Sequence, residues 1–222
     1  MALGRLGVWY STDKLNGGQL ADLVRAVEGN GYSAFWYPES RGYESMSLAA
    51  YLLSKSDRLT IGSSIANIYA RDSFTARRAT ISLNDWYGRR FILGVGVSHI
   101  PMVEGVRGHR YDKPIPAMRA YLEGLARDGG GDLPVVVAAL GPKMLALSAE
   151  MSRGAVPYNV TPEHTARAAA ILGPNRILAV EQKVTIETDP IKARKLLTYE
   201  LAPGADLPDP PPGPLPDDTV AP

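Results

Sequence analysis

Phe91-Ile92-Leu93-Gly94-Val95 is a short apolar run, and its composition predicts a strand that is buried on both faces. Similar runs recur along the chain, and each is followed by a stretch with apolar residues at helical spacing. The predicted strands begin near Leu6, Ala34, Leu59, Phe91, Leu133, Ala155 and Ile177, and the last extends to Ile186. Strands that alternate with helices in this way predict a parallel sheet with its helices outside.

Two α/β architectures accommodate this pattern. One is a (β/α)8 barrel of the TIM type, and the other is an open, doubly wound sheet. The fingerprint of dinucleotide-binding sheets is absent after the first strand, which favours the barrel. A barrel normally needs roughly 250 residues and eight strands. The chain has 222 residues, and its eighth strand is missing or unrecognisable.

The C-terminal end differs in composition from the rest of the chain. Eight of the twenty residues from Pro203 to Pro222 are proline, so this segment cannot donate a full ladder of sheet hydrogen bonds. We therefore expect a barrel domain over residues 1–202 and a disordered or extended tail over residues 203–222.

Composition excludes several classes of function. The net charge is +1, so the chain has no strong field to hold a nucleic acid or an anionic membrane. It contains no cysteine, which excludes disulfides, Cys-ligated metal centres and thiol catalysis. No metal site is predicted. Neither a signal peptide nor a membrane-spanning run is visible, and a cytoplasmic location is expected.

Candidate site residues follow the predicted strands, at the end where a barrel binds its ligands. Glu39 follows the second strand, and it is interpreted either as a ligand contact or as a capping or salt-bridging acid. Small residues precede Asn67 after the third strand, where they suit either a flat ligand or a tight turn. Glycines end the fourth strand at Gly94 and Gly96, and glycines there free backbone N–H groups for a ligand.

Two later loops add histidines and a lysine. The long loop after the fourth strand contains His109, which is predicted to act in a site, with His99 as the runner-up. His164, in the first turn of a helix, is interpreted as a surface residue. Gly141 and Lys143 precede and open the fifth helix, and they predict either a phosphate site at its N-terminus or a plain turn with a solvated lysine.

Four stretches together resemble the luciferase-like monooxygenase superfamily, and most of all its coenzyme F420-dependent oxidoreductases from actinobacteria. They are Phe35-Trp36-Tyr37-Pro38-Glu39, Ile65-Ala66-Asn67-Ile68-Tyr69-Ala70-Arg71-Asp72, Gly88-Arg89-Arg90-Phe91-Ile92-Leu93-Gly94-Val95-Gly96-Val97-Ser98 and Ala138-Ala139-Leu140-Gly141-Pro142-Lys143-Met144. The resemblance covers most of residues 4–202. It implies a (β/α)8 barrel whose cofactor lies at the C-terminal mouth.

The resemblance also implies individual roles. A bulge with a non-prolyl cis peptide backs the deazaflavin ring in this family, and the matching bond here is Ser64–Ile65. The residues of the fourth strand end would line the ring, and those around Lys143 would hold the phosphate. The cofactor-binding residues implied are Ser64, Ile65, Ala66, Asn67, Gly96, Val97, Ser98, Ala139, Gly141, Pro142, Lys143 and Met144, and Glu39 and His109 are the catalytic candidates.

Three functions stay open at this point. The first is hydride transfer between F420 and a small organic substrate, and the second is an FMN-dependent monooxygenase on the same fold. The third is a cofactor-binding protein without turnover, because the barrel is incomplete. Many relatives have an Asp-His pair after the second strand, whereas this chain has Glu39-Ser40. A homodimer is expected because family members often dimerise.

Overall fold

A computed structural model describes residues 3–127 and 132–201. The chain divides into two compact units, Met1–Glu181 and Gln182–Pro222. The predicted proline-rich tail at 203–222 lies outside the described residues. Among the helices that the structure describes, none has the length and hydrophobicity that crossing a membrane requires.

The first unit is built from short strands that alternate with helices. Its strands are Gly7–Trp9 (β1), Ala34–Tyr37 (β2), Thr60–Ser63 (β3), Ala66–Asn67 (β4), Phe91–Gly96 (β5), Val135–Val137 (β6), Gly154–Ala155 (β7) and Ile177–Leu178 (β8). Its helices are Gly17–Gly29 (α1), Ser45–Ser54 (α2), Ser73–Trp86 (α3), Pro114–Ala126 (α4), Pro142–Met151 (α5) and Pro162–Leu172 (α6). The second unit contains Pro190–Leu201 (α7), which Asp189 caps by accepting a hydrogen bond from the Ile191 backbone N–H at 2.9 Å.

The strands form one parallel sheet in chain order, β1-β2-β3-β5-β6-β7-β8, and β4 also pairs with β5. This order confirms the predicted pairing, and it excludes the open, doubly wound alternative because the order does not reverse among the described strands. The sheet is a parallel half-barrel of the TIM type. Because β3 and β4 both pair with β5 and follow one another in the chain, they count as one barrel strand, and the sheet corresponds to seven of the eight strands of a barrel. Among the described residues its outer strands are β1 and β8.

A one-residue bulge separates β3 from β4. Ile61 pairs with Phe91 before the bulge, and Asn67 pairs with Gly96 after it, so six steps along β3–β4 match five along β5. The bulge contains a cis peptide bond between Ser64 and Ile65, as the resemblance predicts. Such a bulge bends its strand and redirects the residues that follow it.

Side chains alternate between two buried layers. Along β2, Phe35 and Tyr37 belong to the large core between sheet and helices, whereas Ala34 and Trp36 belong to a smaller cluster on the concave face of the sheet. Ile92 joins that smaller cluster. Both faces of the sheet are therefore apolar, which is the burial expected for barrel strands.

Two predicted elements need correction. The last strand is predicted to extend to Ile186, but β8 ends at Leu178 and only an isolated bridge between Tyr158 and Glu181 follows. Val184 and Ile186, within the predicted strand, lie outside any strand of the described residues. The segment after β5, predicted as loop, contains a π-helix over Pro101–Val106.

Local signals in the sequence account for several helix starts. Asn16 and Gln19 form a capping box at α1, in which each side chain bonds the backbone N–H of the other at 3.0 Å. Asp72 caps α3 through the backbone N–H of Thr75, and Thr161 caps α6 through that of His164. These caps fix where each loop at the carboxyl edge of the sheet ends.

Candidate active site at the carboxyl edge of the sheet

Glu39 lies directly after β2, and its carboxylate is buried and fully bonded. Its Oε2 accepts hydrogen bonds from the Asn67 backbone N–H at 2.8 Å and from Arg71 Nη1 at 3.1 Å. Its Oε1 accepts from the Ser45 backbone N–H at 3.3 Å and from Arg71 Nη2. Glu39 therefore joins the β2–α2 loop to the segment after the bulge.

Arg71 completes this network from the loop before α3. Its guanidinium bonds both oxygens of Glu39, and Nη2 also contacts Glu44 Oε1 at 2.8 Å. Burial raises the pKa of Glu44, but the backbone N–H groups of Met46 and Ser47, together with Arg71, outweigh it and lower the pKa below its usual value. The site therefore keeps a charged, paired cluster in an otherwise apolar layer.

The bulge brings backbone and one amide to the mouth of the half-barrel. The Ser64 carbonyl oxygen accepts a hydrogen bond from Trp9 Nε1 at 3.3 Å, and Ile65 packs in the concave apolar cluster. Asn67 is 1% exposed, and its Oδ1 accepts from the Tyr69 backbone N–H at 2.9 Å. Its Nδ2 is buried and has no partner among the described residues. A buried donor without a partner is uncommon, and it fits a group that accepts its hydrogen bond when a ligand is present.

The two glycines of β5 have a steric role. A Cβ on Gly94 would lie 1.9 Å from the Ser63 carbonyl oxygen, and one on Gly96 would lie 2.6 Å from Ile65 Cγ1. The Gly94 N–H is not free, because it donates to Ser63 Oγ at 3.0 Å. These glycines permit the close approach of β3 and β5 that holds the bulge in place. A contact between Gly96 and a cofactor stays a prediction.

A pair of tyrosines fastens the long loop after β5. The rings of Tyr69 and Tyr111 stack with their centroids 6.0 Å apart. Tyr69 Oη accepts a hydrogen bond from the Asp112 backbone N–H at 3.0 Å, and Tyr111 Oη donates to the Ser98 carbonyl oxygen at 3.2 Å. His109 lies in this loop with an exposed side chain that forms no hydrogen bond or ion pair with described residues. Its catalytic role stays a prediction.

The N-terminus of α5 follows β6 and has no side-chain cap. Gly141 occupies the cap position, and the backbone N–H groups of Met144 and Leu145 donate to its carbonyl oxygen. Lys143 is exposed beside this end of the helix. His164, from the first turn of α6, bonds the Leu140 carbonyl oxygen through Nε2 at 2.7 Å. His164, which is predicted to be a surface residue, therefore also contacts the loop between β6 and α5.

The predicted cofactor-binding residues lie at or directly after the carboxyl ends of β3, β5 and β6, so the structure places them along one edge of the sheet. Their side chains do not all lie on the same face of the sheet. Ile65 faces the concave side, whereas Ala66, Ala139 and Met144 are buried in the core that faces the helices. Those three residues can offer a ligand their backbone only. Val97 and Ser98 lie in the loop after β5, where Ser98 adopts a positive φ of 57°, and Pro142 is the first residue of α5.

Comparison of the sequence with protein-family models identifies the family of this chain. The model of the luciferase-like monooxygenase family matches residues 1–127, which is more than half of the chain. The chain belongs to the luciferase-like monooxygenase family. The family assignment confirms the resemblance, and residues 1–127 include three of the four stretches, β1 to β5, the bulge and the Glu39–Arg71 pair.

One curated relative in this family is a Mycobacterium tuberculosis protein named as a candidate coenzyme F420-dependent oxidoreductase. It is 29% identical over 199 residues, which cover 73% of this chain and 56% of that protein. The chain thus spans about half the length of the curated relatives it matches, since a 5,10-methylenetetrahydromethanopterin reductase from Methanolobus tindarius, which is 26% identical, is matched over 61% of this chain and 48% of its own length.

Several solved structures share the fold at low sequence identity. The F420-dependent tetrahydromethanopterin reductase of Methanopyrus kandleri gives a TM-score of 0.73 at 18% identity, covering 92% of this chain and 74% of that one. An F420-dependent secondary alcohol dehydrogenase, solved with an F420–acetone adduct, gives 0.74 at 13% identity, with 89% and 74% covered. An FMN complex of a Baeyer–Villiger monooxygenase component from Pseudomonas putida gives 0.64 at 12% identity, with 87% and 71% covered.

Sequence reasoning missed three parts of this site. The partner of Glu39 was not identified, although Arg71 stands within a stretch that carries the family resemblance. The tyrosine pair was missed because its members are 42 positions apart in the chain. The His164 contact was missed because a histidine in the first turn of a helix gives no indication of which loop it reaches.

Proposed function

We propose that the chain provides the cofactor-binding part of an F420-dependent oxidoreductase. The reaction is hydride transfer between the deazaflavin and a small organic substrate of unidentified class. The observation that carries the proposal is the bulge between β3 and β4, which lies beside the unpaired Asn67 Nδ2, within a family whose relatives include F420-dependent enzymes.

The residues present fit such a cofactor. A flat deazaflavin ring offers carbonyl oxygens at its edge, and Asn67 Nδ2 is a buried donor that lacks an acceptor. The backbone from Ser64 to Asn67 and the β5 end from Gly96 to Ser98 would line the ring. The uncapped α5 N-terminus, with Lys143 beside it, would hold the phosphate, since helix N-termini present N–H groups and a positive dipole end to anions.

The bound cofactor would supply the hydride chemistry, and the protein would orient the reactants and exclude water. Glu39 contributes by fixing the Asn67 backbone N–H, and Arg71 keeps Glu39 charged and immobile. Because both carboxylate oxygens of Glu39 already accept hydrogen bonds, we assign Glu39 the role of positioning this segment and not that of transferring a proton. His109 has a free imidazole in the adjacent loop, so it is the side chain we propose for proton transfer.

A direct test is equilibrium binding of F420 and of FMN to the purified chain, measured by fluorescence titration. The proposal expects saturable F420 binding that is tighter than FMN binding. Oxidation of reduced F420 in the presence of a panel of carbonyl, enone and imine compounds then tests turnover. Binding without any turnover would favour a cofactor-binding protein that lacks activity.

A second candidate function is an FMN-dependent monooxygenase. The fold similarity to an FMN complex supports it, and FMN also carries a phosphate that the α5 N-terminus would hold. Tighter binding of FMN than of F420, together with oxygen consumption by the reduced complex, would favour this alternative over the first.

A further inference from the structure

We propose that His164 is a positioning residue for the phosphate site, acting through the loop between β6 and α5. The inference rests on the proposed function. It adds a residue from the next helix to a site that the sequence assigns to the segment from Gly141 to Met144.

The first step is the direction of the hydrogen bond. His164 Nε2 lies 2.7 Å from the Leu140 carbonyl oxygen, and a carbonyl oxygen can only accept. Nε2 therefore carries the hydrogen. The other ring nitrogen, Nδ1, is buried and has no partner among the residues that the structure describes. The ring is thus held by a single bond, and that bond ends on the loop.

The second step is the rigidity of the helix that carries His164. Thr161 Oγ1 caps α6 by accepting the His164 backbone N–H at 3.3 Å, and Thr165 Oγ1 donates to the Thr161 carbonyl oxygen at 3.1 Å. Pro162 stands at the first helical position, where its fixed φ favours the helix start. The imidazole is therefore attached to a backbone that is well fixed at its own N-terminus.

The loop between β6 and α5 has no side-chain cap where it enters the helix. The α5 cap residue is Gly141, which has no side chain to hold the turn, and Leu140 is 53% exposed. On the strand side, the Ala138 N–H donates to the Val95 carbonyl oxygen at 2.9 Å. Between Ala138 and the first turn of α5, the His164 bond to Leu140 supplies a side-chain anchor. A loop that binds an anion through backbone N–H groups needs such an anchor, because a small displacement weakens every N–H contact together.

The test compares F420 with the shorter deazaflavin that ends at the ribityl hydroxyl and therefore lacks the phosphate and the groups attached beyond it. Both ligands are titrated by fluorescence into wild type, His164→Leu and His164→Gln. Loss of one positioning hydrogen bond corresponds to roughly threefold to tenfold in affinity. We expect His164→Leu to weaken F420 binding by this factor and to leave binding of the shorter deazaflavin unchanged. His164→Gln, which retains an N–H donor, should recover most of the loss.

Arg167→Gln is the matched control, because Arg167 is exposed one turn further along α6 and should change neither ligand. If His164→Leu does not fold, His164→Asn replaces it, since the shorter amide does not reach Leu140. Equal weakening of both ligands, or no weakening of F420, overturns the inference while F420 binding by wild type upholds the proposed function. Absence of F420 binding by wild type overturns both.

Discussion

The carboxylate of Glu39 and the guanidinium of Arg71 form an ion pair whose side chains are 3% and 8% exposed. The two residues follow neighbouring strands, so their pairing joins the β2–α2 loop to the segment after the bulge. Glu39 also accepts a hydrogen bond from the backbone N–H of Asn67, the residue proposed to contact the deazaflavin ring. The ion pair is therefore joined directly to the proposed cofactor site. The pair is therefore expected to support both stability and the shape of the site.

Removing the cation should be costly because it leaves a buried, uncompensated carboxylate. We expect Arg71→Met to lower the free energy of unfolding by about 3–5 kcal/mol, measured by urea denaturation. The double variant Glu39→Gln with Arg71→Met should recover part of this loss, since it removes the second charge. As a control, Arg119→Met breaks the exposed pair with Glu150 and should change stability little. Equal effects of the two arginine variants would contradict the role of burial.

The tyrosine pair gives a prediction about the long loop. Tyr69→Phe removes the hydroxyl that accepts the Asp112 backbone N–H but keeps the ring that stacks on Tyr111. We expect faster amide hydrogen exchange over residues 107–113, with global stability lowered by about 1 kcal/mol. Tyr43→Phe is a suitable control, because its hydroxyl bonds Leu15 elsewhere. Unchanged amide exchange in the Tyr69→Phe variant would show that the hydrogen bond from Asp112 to Tyr69 does not hold the loop.

Lys143 gives a prediction about electrostatics. Lys143→Ala should weaken F420 binding, and the remaining affinity should depend less on salt, because a charge that attracts the phosphate is lost. The measurement is the F420 dissociation constant at several ionic strengths. Lys55→Ala, at the C-terminus of α2, is the control and should leave both quantities unchanged. A dissociation constant that does not respond to Lys143→Ala would remove this residue from the site.

Glu28 gives a prediction about pH. Burial raises its pKa, but the backbone N–H groups of Asp57, Arg58 and Leu59 outweigh burial and lower the pKa below the usual 4.5. The folded state therefore binds this proton more weakly than the unfolded state. The stability that Glu28 contributes is present above pH 4.5 and is lost as pH falls through the lowered pKa.

Urea unfolding at about pH 7 and about pH 3 measures this contribution. Glu28→Gln should destabilise the protein at the higher pH and should lose stability less steeply than wild type on acidification. Asp22→Asn, at an exposed site on the same helix, serves as the comparison. Parallel pH profiles for wild type and Glu28→Gln would contradict the prediction.

The strand order and helix starts were predictable because they depend on local patterns. Runs such as Phe91–Val95 are apolar enough to be buried on both faces, and Asp72 and Thr161 are caps that act within their own turn. The last strand was predicted too long because apolar alternation continues to Ile186, and alternation alone does not show whether a partner strand is available.

The site was predictable as an edge of the sheet but not as a set of contacts. The edge follows from parallel strands, whose carboxyl ends meet on one side. The Glu39–Arg71 pair and the His164–Leu140 bond each join segments more than twenty positions apart, so their geometry depends on packing that composition does not encode. Likewise, the glycines of β5 were interpreted as sources of free N–H groups, whereas the packing of Gly94 and Gly96 shows a need for space.

The central claim is that a deazaflavin binds along the carboxyl edge of the half-barrel. Hydrogen–deuterium exchange of the full chain, with and without saturating F420, tests this claim most directly. We predict protection of the amides at 64–68, 96–98, 141 and 143–145 on addition of F420, and no change at Arg153 and Gly154, which lie at the opposite edge. Unchanged exchange along the carboxyl edge, or protection confined to the opposite edge, would contradict the account.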